Sequence, residues 1–430
     1  MNDKYKNSEK GQAIVYLAIG LVVFLGFVAL AIDGGMALAD RRHSQNGADS
    51  ASLAGGAAAA VKLEQFGVNY DNWNCNTGSP VEKAKNWAEK IARDRATANN
   101  FSIVIDATDH NDVNAECGST TYYADDGSIW FVDKYIDVTV EISATTPSNF
   151  LQLVFPTALH NEVDAVTRVH PPQSIGFGYA IVALHPGFCT GNDSGGVIIG
   201  GSGTTTINGG GIFSNGCIIN EGGPTLKIEN GGVFGNRLDK NYPNDWIPQP
   251  AEVDFQFPTS NYDIDPPNCS DPAAHVEDSL PLYPETMEPG LWCITNPKGI
   301  KINAGDRVDG DGVTIYVTSN NNNTAIFING QAELHLSAPD PKSDSFPAIP
   351  GVLFYVDTTI PVTLDGTSGT NFDGMIFAPR SLITLNGNSK NNYNGQVIGW
   401  DVKLTGNVTM NVNFNSDTAL TNPTSIELAK

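Results

Sequence analysis

Residues 362–387 read VTLDGTSGTNFDGMIFAPRSLITLNG. The opening VTLDG returns as ITLNG, and FDGMIF returns as the YNGQVI that begins at Tyr393. Leu364 to Leu385 is 21 residues, as are Gly366 to Gly387, Phe372 to Tyr393 and Gly374 to Gly395. The same interval separates Ile207 in TTINGG from Ile228 in LKIENGG, and the GIF at Gly211 from the GVF at Gly232. Two unlike motifs sharing one period mark a coil stacked on copies of itself. Short strands of such coils pair at about 4.8 Å, so equivalent apolar positions line up as inner columns. Leu364, Leu385 and Leu404 should form one column, and Phe372 and Tyr393 should start another. Gly366, Gly387 and Gly406 fall at the corner, where the chain needs a backbone without a Cβ. A sandwich of hairpins is the competing architecture, but its turns would recur every ~8–12 residues without two motifs at one period. The expected fold is mainly β: a long N-terminal helix, a small α+β domain, then a parallel β-helix.

The same texture of short apolar runs cut by Gly and Asn begins near 175 with GGVIIGG and GIFSNGCIIN, and resumes at GIKINAG, VTIYV and GVLFYV. Between them, 240–298 is rich in Pro, Asp and Asn, and proline removes a ladder donor, so this stretch reads as an excursion from the coil. Upstream, Ser79-Pro80 followed by Glu82 is a capping-box start, and Val81, Ala84, Trp87, Ala88 and Ile91 recur at helical spacing. Strands are expected at FSIVIDA, SIWFV and KYIDVTVEISA, the last alternating through Ile136, Val138, Val140 and Ile142. The resulting division is 1–12 N-terminus, 13–32 transmembrane helix, 33–67 helix continuing outside and 68–171 small α+β domain. The solenoid then takes 175–239 and 299–416 around the 240–298 excursion, with 417–430 as a tail.

From Ala13 to Ile32 the chain runs 20 residues without a charge, roughly 30 Å as a helix and enough to cross a bilayer. Lys4, Lys6 and Lys10 precede it and Arg41 and Arg42 follow, which places the N-terminus in the cytoplasm and the bulk outside. A signal peptide cleaved after Ala39 is the alternative, but signal apolar regions run about 7–15 residues. Beyond the span, Gly47, Ala51, Gly55 and Ala59 form a stripe of small side chains, with Ala48, Ser52, Gly56 and Ala60 beside it. Such stripes let backbones approach closely, either against the chain's own domain or against a partner's helix.

Aspartate and glutamate outnumber lysine and arginine by 47 to 24, which excludes a nucleic-acid partner lacking a basic patch to meet it. Six cysteines, Cys75, Cys117, Cys189, Cys217, Cys269 and Cys293, contain no CxxC pair. Fifteen pairings are open in principle for six cysteines. Pairing nearest neighbours in order closes each loop inside one segment, as an oxidising compartment would allow.

The run KGQAIVYLAIGLVVFLGFVALAIDGGMALADRRHSQNGADSASLAGG resembles the N-terminal segment of TadG-like proteins of the tight-adherence (Flp-type) pilus systems. Those share a Gly-Gln, an apolar helix ending in Ile/Val-Asp, and an Ala-Asp-Arg-Arg stretch leading to Ala-Leu-Ala-Gly. The stretch YIDVTVEISATTPSNFLQLVFPTALHNEVDAVTRVHP is similar to the strand, apolar turn and strand that close their first domain. Prepilin-type members carry a glutamate five residues after the processing glycine, where this chain has Tyr16 after Gly11. The metal-binding von Willebrand A motif of many TadG-like proteins is not matched by NDSGG at Asn192. The C-terminal region resembles the Gly/Asn-rich part of some Tad-like envelope proteins, in which an AP follows a strand as in LSAP and IFAP. The resemblance implies a membrane-anchored structural or adhesive protein, with the membrane, pilus-assembly or pseudopilin proteins and cell-surface glycans as candidate partners.

A β-helix can instead carry a surface-tethered polysaccharide lyase or hydrolase, so clustered acids matter. GDRVDGDGV offers Asp306, Asp309 and Asp311 as a weak metal candidate, but it departs from the calcium-loop pattern and reads first as a solvated turn. No HExxH, GxSxG or P-loop is present. The expectation is a protein without a catalytic site or cofactor.

Overall fold

The computed structural model describes residues 12–101, 111–150, 158–239, 241–258, 264–318, 323–343, 345–366, 371–387, 391–407, 410–415 and 419–429. The chain forms two compact units, one of Met1–Ser119, Lys134–Pro172 and Thr424–Lys430, the other of Thr120–Asp133 and Gln173–Pro423.

The first unit sets two helices on a four-stranded antiparallel sheet. Helix α1 (Gln12–Gln65) is continuous through its apolar start. Helix α2 (Pro80–Ala98) begins as its sequence dictates, since the Ser79 side chain accepts the Glu82 N–H at 3.0 Å. The Glu82 carboxylate reaches back to the Gly78 N–H. The buried face of α2 is Val81, Ala84, Ala88, Ala92 and Ala96, while Trp87 stays exposed beneath the ammonium groups of Lys62 and Lys90. Small residues won that face because α1 lies too close for an indole. Strands β1 (Asp112–Tyr123), β2 (Ile129–Thr146) and β3 (Leu159–His170) follow. SIWFV and KYIDVTVEISA thus merge into one long strand, with Ile136, Val138, Val140 and Ile142 all fully buried. The strand expected at FSIVIDA lies outside the described residues apart from Phe101. The C-terminal tail is a strand: Ser425–Leu428 pairs antiparallel with β3, so residues 173–423 of the second unit are inserted between two neighbouring strands of this sheet.

The second unit is a parallel β-helix with three strand faces per turn. Its columns are those the repeat announced: Leu364 pairs in register with Leu385 and Leu385 with Leu404, while Phe372 pairs with Tyr393. Gly366, Gly387 and Gly406 stack at one corner, where Gly406 has φ +150° and a Cβ would lie 2.4 Å from the Gly387 carbonyl oxygen. Inside runs one core from Ile228 and Leu226 through Leu404, Leu385 and Leu364 to Val308.

The coils do not stack in chain order. The coil of 181–208 is followed outward by Ile212–Gly222 and then Val233–Leu238. The chain then leaves, re-enters at His275–Glu277 and Gly290–Ile294, and stacks through 313–317, 352–356 and 375–387 to Val397–Gly406. That last strand pairs with Ile181–Ala183 and Gly196–Gly201, the first strands of the solenoid. Strands Thr286–Met287 and Gly290–Ile294 therefore already belong to coils, inside the stretch read as an excursion.

In the same stretch Ala251–Glu252 adds an end strand beside Val233–Leu238, and the residues that follow it form a strap. Val253, Phe255, Phe257 and Ile264 pack on the outward side chains of one solenoid face, among them Phe213, Phe234, Tyr355 and Phe377. Trp130 joins this second layer, with its ring 4.9 Å from Phe255. Buried Asn215 holds the strap by its backbone, donating to the Phe257 carbonyl at 2.8 Å and accepting the Phe257 N–H at 2.7 Å. The Tyr355 hydroxyl donates to the Ile264 carbonyl at 2.6 Å. Covered on both sides, strands such as GVLFYV are apolar throughout rather than alternating.

Candidate functional site: the anchor helix and its seat

The apolar stretch of α1 is exposed along its length, with none of its most hydrophobic window buried and a mean hydropathy there of 2.8. Ile14, Leu17, Phe24 and Phe27 each leave more than half of their surface uncovered. Such a surface in water would cost far more than isolated apolar side chains do, and its length fits a bilayer core.

The first polar side chain after it is Asp33, which is 1% exposed. Its two carboxylate oxygens accept the backbone N–H groups of Asn149 and Phe150 at 3.1 and 3.0 Å. One helical stretch later, Asp40 Oδ2 accepts the Thr146 hydroxyl at 2.7 Å. These two carboxylates tie the turn after β2 to the end of the apolar span. A buried carboxylate holding two backbone donors resists removal, because either change leaves desolvated groups unpaired.

The small-residue stripe is turned inward. Ala51 and Ala59 are fully buried, and a Cβ on Gly55 would stand 2.8 Å from Val138 and 3.0 Å from the Ala88 carbonyl oxygen. A Cβ on Gly47 would meet the Phe101 ring at 2.3 Å. The neighbouring stripe is seated as well: Gly56 abuts Thr167, whose hydroxyl donates to Ser52 at 2.9 Å. Both rows pack α1 on α2 and β3, which is the own-domain reading of the stripe rather than a free docking face.

The cysteines pair in sequence order, Cys75 with Cys117, Cys189 with Cys217 and Cys269 with Cys293, and no cysteine is free. Cys269–Cys293 bolts the end of the strap to the coil of Gly290–Ile294. Asp306, Asp309 and Asp311 do not converge. Asp306 accepts the Asn303 N–H at 2.8 Å, Asp309 pairs with Arg307 at 2.9 Å, and Asp311 accepts the Ser337 hydroxyl at 3.1 Å. Among the described residues no group of three or more His, Cys, Asp or Glu side chains is placed to hold a metal ion.

One polar constellation had no sequence signal. His185 Nδ1 lies 3.0 Å from Asp401 Oδ1, and its Nε2 lies 3.4 Å from Asp193. The ring stacks on Trp400 at 4.9 Å, and Asp401 also accepts the Gly196 N–H at 2.6 Å. Burial raises the Asp401 carboxyl above its ordinary range, opposed by the Gly196 N–H and by His185. The group bridges the first and last coils of the solenoid in chain order, 216 residues apart. Only the stacking of coils brings such partners together. Asp33, by contrast, had a signal: it is the lone carboxylate directly after the uncharged span.

Two families match this chain. Residues 11–60 match a family described as Flp pilus-assembly TadE/G-like, so the matched segment comprises the apolar span, Asp33, Asp40 and both small-residue rows. Residues 298–422 match a domain of unknown function (DUF7305), which ends one residue before the second unit does. No protein of curated function matches the chain.

Proposed function

We propose, from the TadE/G-like segment at 11–60, that the protein is a single-pass envelope component of a Tad (Flp-type) pilus system. Its N-terminus lies in the cytoplasm, and its solenoid unit is displayed outside the membrane as a non-catalytic attachment surface. The observation that carries this reading is the division of one helix into two environments. Its first part is apolar and bare, and its second is packed by glycine and alanine into a folded unit, both within the matched segment. Three disulfides support an oxidising compartment for everything after the span. The covering of the ends of the β-helix core supports a displayed module. Trp246, 1% exposed, covers one end of the core, where the Ile247 N–H donates to the Leu226 carbonyl at 2.9 Å and the Ile228 N–H to the Ile247 carbonyl at 2.8 Å.

The test is topological and then genetic. The protein should stay with membranes through alkaline extraction. After reduction, a membrane-impermeant maleimide should label its cysteines in intact spheroplasts. Deleting the gene should reduce pilus-dependent surface attachment, and the full chain should restore it where a version lacking 175–423 does not. Labelling confined to lysed cells would reject the orientation, and attachment unchanged by deletion would reject the pilus role.

A further inference from the structure

A groove of about 590 Å³ crosses three successive coils of the solenoid. Its floor is a row of one acid and two carboxamides, Asp373, Asn394 and Asn413, which are register partners on neighbouring strands. Asn413 Nδ2 donates to Asn394 Oδ1 at 2.8 Å, and Asn394 Nδ2 donates to Asn371 Oδ1 at 3.1 Å. Each carboxamide is thereby held in a fixed plane. A carboxamide carries two N–H donors and two lone pairs, so capacity remains on every rung after the ladder is made. Phe414 and the Pro339–Lys342 loop complete the lining. That combination, an aromatic side chain beside a few oriented polar groups in several hundred Å³, is the form of a small-molecule site.

A chamber of about 10 Å³ shares Gly374, Gly395 and Phe414 with the groove and is lined by Gln396. The Gln396 side chain is 1% exposed, and its Nε2 is spent on the carbonyls of Ile175 and Tyr179 at 2.5 and 2.6 Å. Its Oε1 has no partner among the described residues. The space suits about one water molecule, the natural partner for a buried acceptor left unmet.

We propose that this groove binds a neutral, hydroxyl-rich saccharide chain laid along the stack of coils. Rungs repeat at the strand spacing of about 4.8 Å, comparable to one sugar ring. Alternating donors and acceptors match ring hydroxyls, and Phe414, half-buried against the core, adds an apolar patch to the lining. The formal charge of −23 and two lining carboxylates, Asp340 and Asp373, against one Lys342 oppose an anionic chain. The proposal rests on the outward display of the solenoid and names what that surface would hold.

The experiment uses the full chain in nanodiscs, titrated by calorimetry with maltohexaose, cellohexaose, mannohexaose and hexa-N-acetylchitohexaose, and with hexagalacturonate as the acidic comparison. At least one neutral hexamer should bind, with little dependence on salt. Asn394→Ala with Asn413→Ala should weaken it by about tenfold or more. Asp373→Asn, which preserves shape, should weaken it severalfold with an unchanged melting curve, and Lys301→Ala, on a strand outside the groove, should leave it intact. The proposal falls if no neutral hexamer binds at millimolar concentration, if binding is confined to hexagalacturonate and lost in Lys342→Ala, or if Asp373→Asn binds as wild type. Such a failure would leave spheroplast labelling and attachment unchanged, whereas failure of the envelope reading would alter those and leave the titration unchanged.

Discussion

Gly56 and Gly20 lie on the same helix, and the same substitution should act oppositely at the two. A Cβ at Gly56 would sit 2.4 Å from Thr167 Cγ2, inside a packed seat; at Gly20 nothing lies within 4 Å. Helix propensity favours alanine over glycine by about 1 kcal/mol, while forcing atoms into a packed contact costs about 1–3 kcal/mol. Gly56→Ala should therefore lower the melting temperature of the purified full chain, and Gly20→Ala should leave it equal or higher. Equal effects would mean that the seat is loose. At Asp401 the quantity to follow is pH. Its folded carboxyl lies above the ordinary 3.8 because burial outweighs the Gly196 N–H, and the charged or titratable groups facing it are His185 and Asp193. A carboxyl raised on folding contributes stability that is complete below its unfolded value and is lost as pH rises through its folded value. The melting temperature of wild type minus that of Asp401→Asn should fall with rising pH across a window opening near 3.8. A difference that grows with pH would mean that the bonds to Gly196 and His185 dominate. The stripe at 47–60 was legible as small residues, but which surface it meets was not, because glycine spacing states only that something comes close. The His185–Asp401 pair was not legible at all, since no local pattern links residues 216 apart.

At the level of elements, periodicity revealed the columns and composition concealed the strap. The 21-residue interval determined register because a one-residue slip would turn every Leu and Ile of a strand outward. The strap was hidden because proline and aspartate describe how its backbone avoids the ladder and not what its few aromatics cover. Its covering role was written instead in the strands beneath, whose unbroken apolar runs need a lid on the outer face. Cys269–Cys293 fastens that lid across a separation of 24 residues. By chain entropy a loop of this size is worth about 3 kcal/mol. Replacing both cysteines with serine should lower the melting temperature and make the strap around 253–275 a site of early proteolysis, while the Cys189–Cys217 region stays resistant. Cleavage appearing first within the coils would instead make the strap an independent support. The strand Ser425–Leu428 offers a parallel case, since it covers the edge of β3 from a part of the sequence that resembles a tail.

For the molecule as a whole, the order of coils was beyond sequence reading, because each coil presents its neighbour with the same column of aliphatic side chains. Nothing in Ile181–Ala183 distinguishes Val397–Ile398 from any other parallel partner; what decides is that the chain enters mid-stack. The consequence is a seam at which strands about two hundred residues apart must pair before either half is complete. Each half alone leaves an apolar edge: 181–208 lacks the layer that Val397–Gly406 and Met410–Asn413 provide. Contacts of such long range make folding slow, because loop closure precedes any gain from pairing. Folding from the N-terminus should then stall until the last coil arrives. Hydrogen exchange on the full chain should show amides at 181–183 and 397–399 among the slowest, with 251–252 and 275–277 at the two ends of the sheet exchanging first. A chain ending at residue 374 should lose protection at 181–183 and 197–199, although every residue of those strands and of their other neighbour at 212–222 is still present. Retained protection in that truncated chain would mean that the first three coils fold as an autonomous block and that the seam is a docking surface. Its loss would mean that the solenoid closes as one cooperative body, set in place only when the C-terminal coil meets the first.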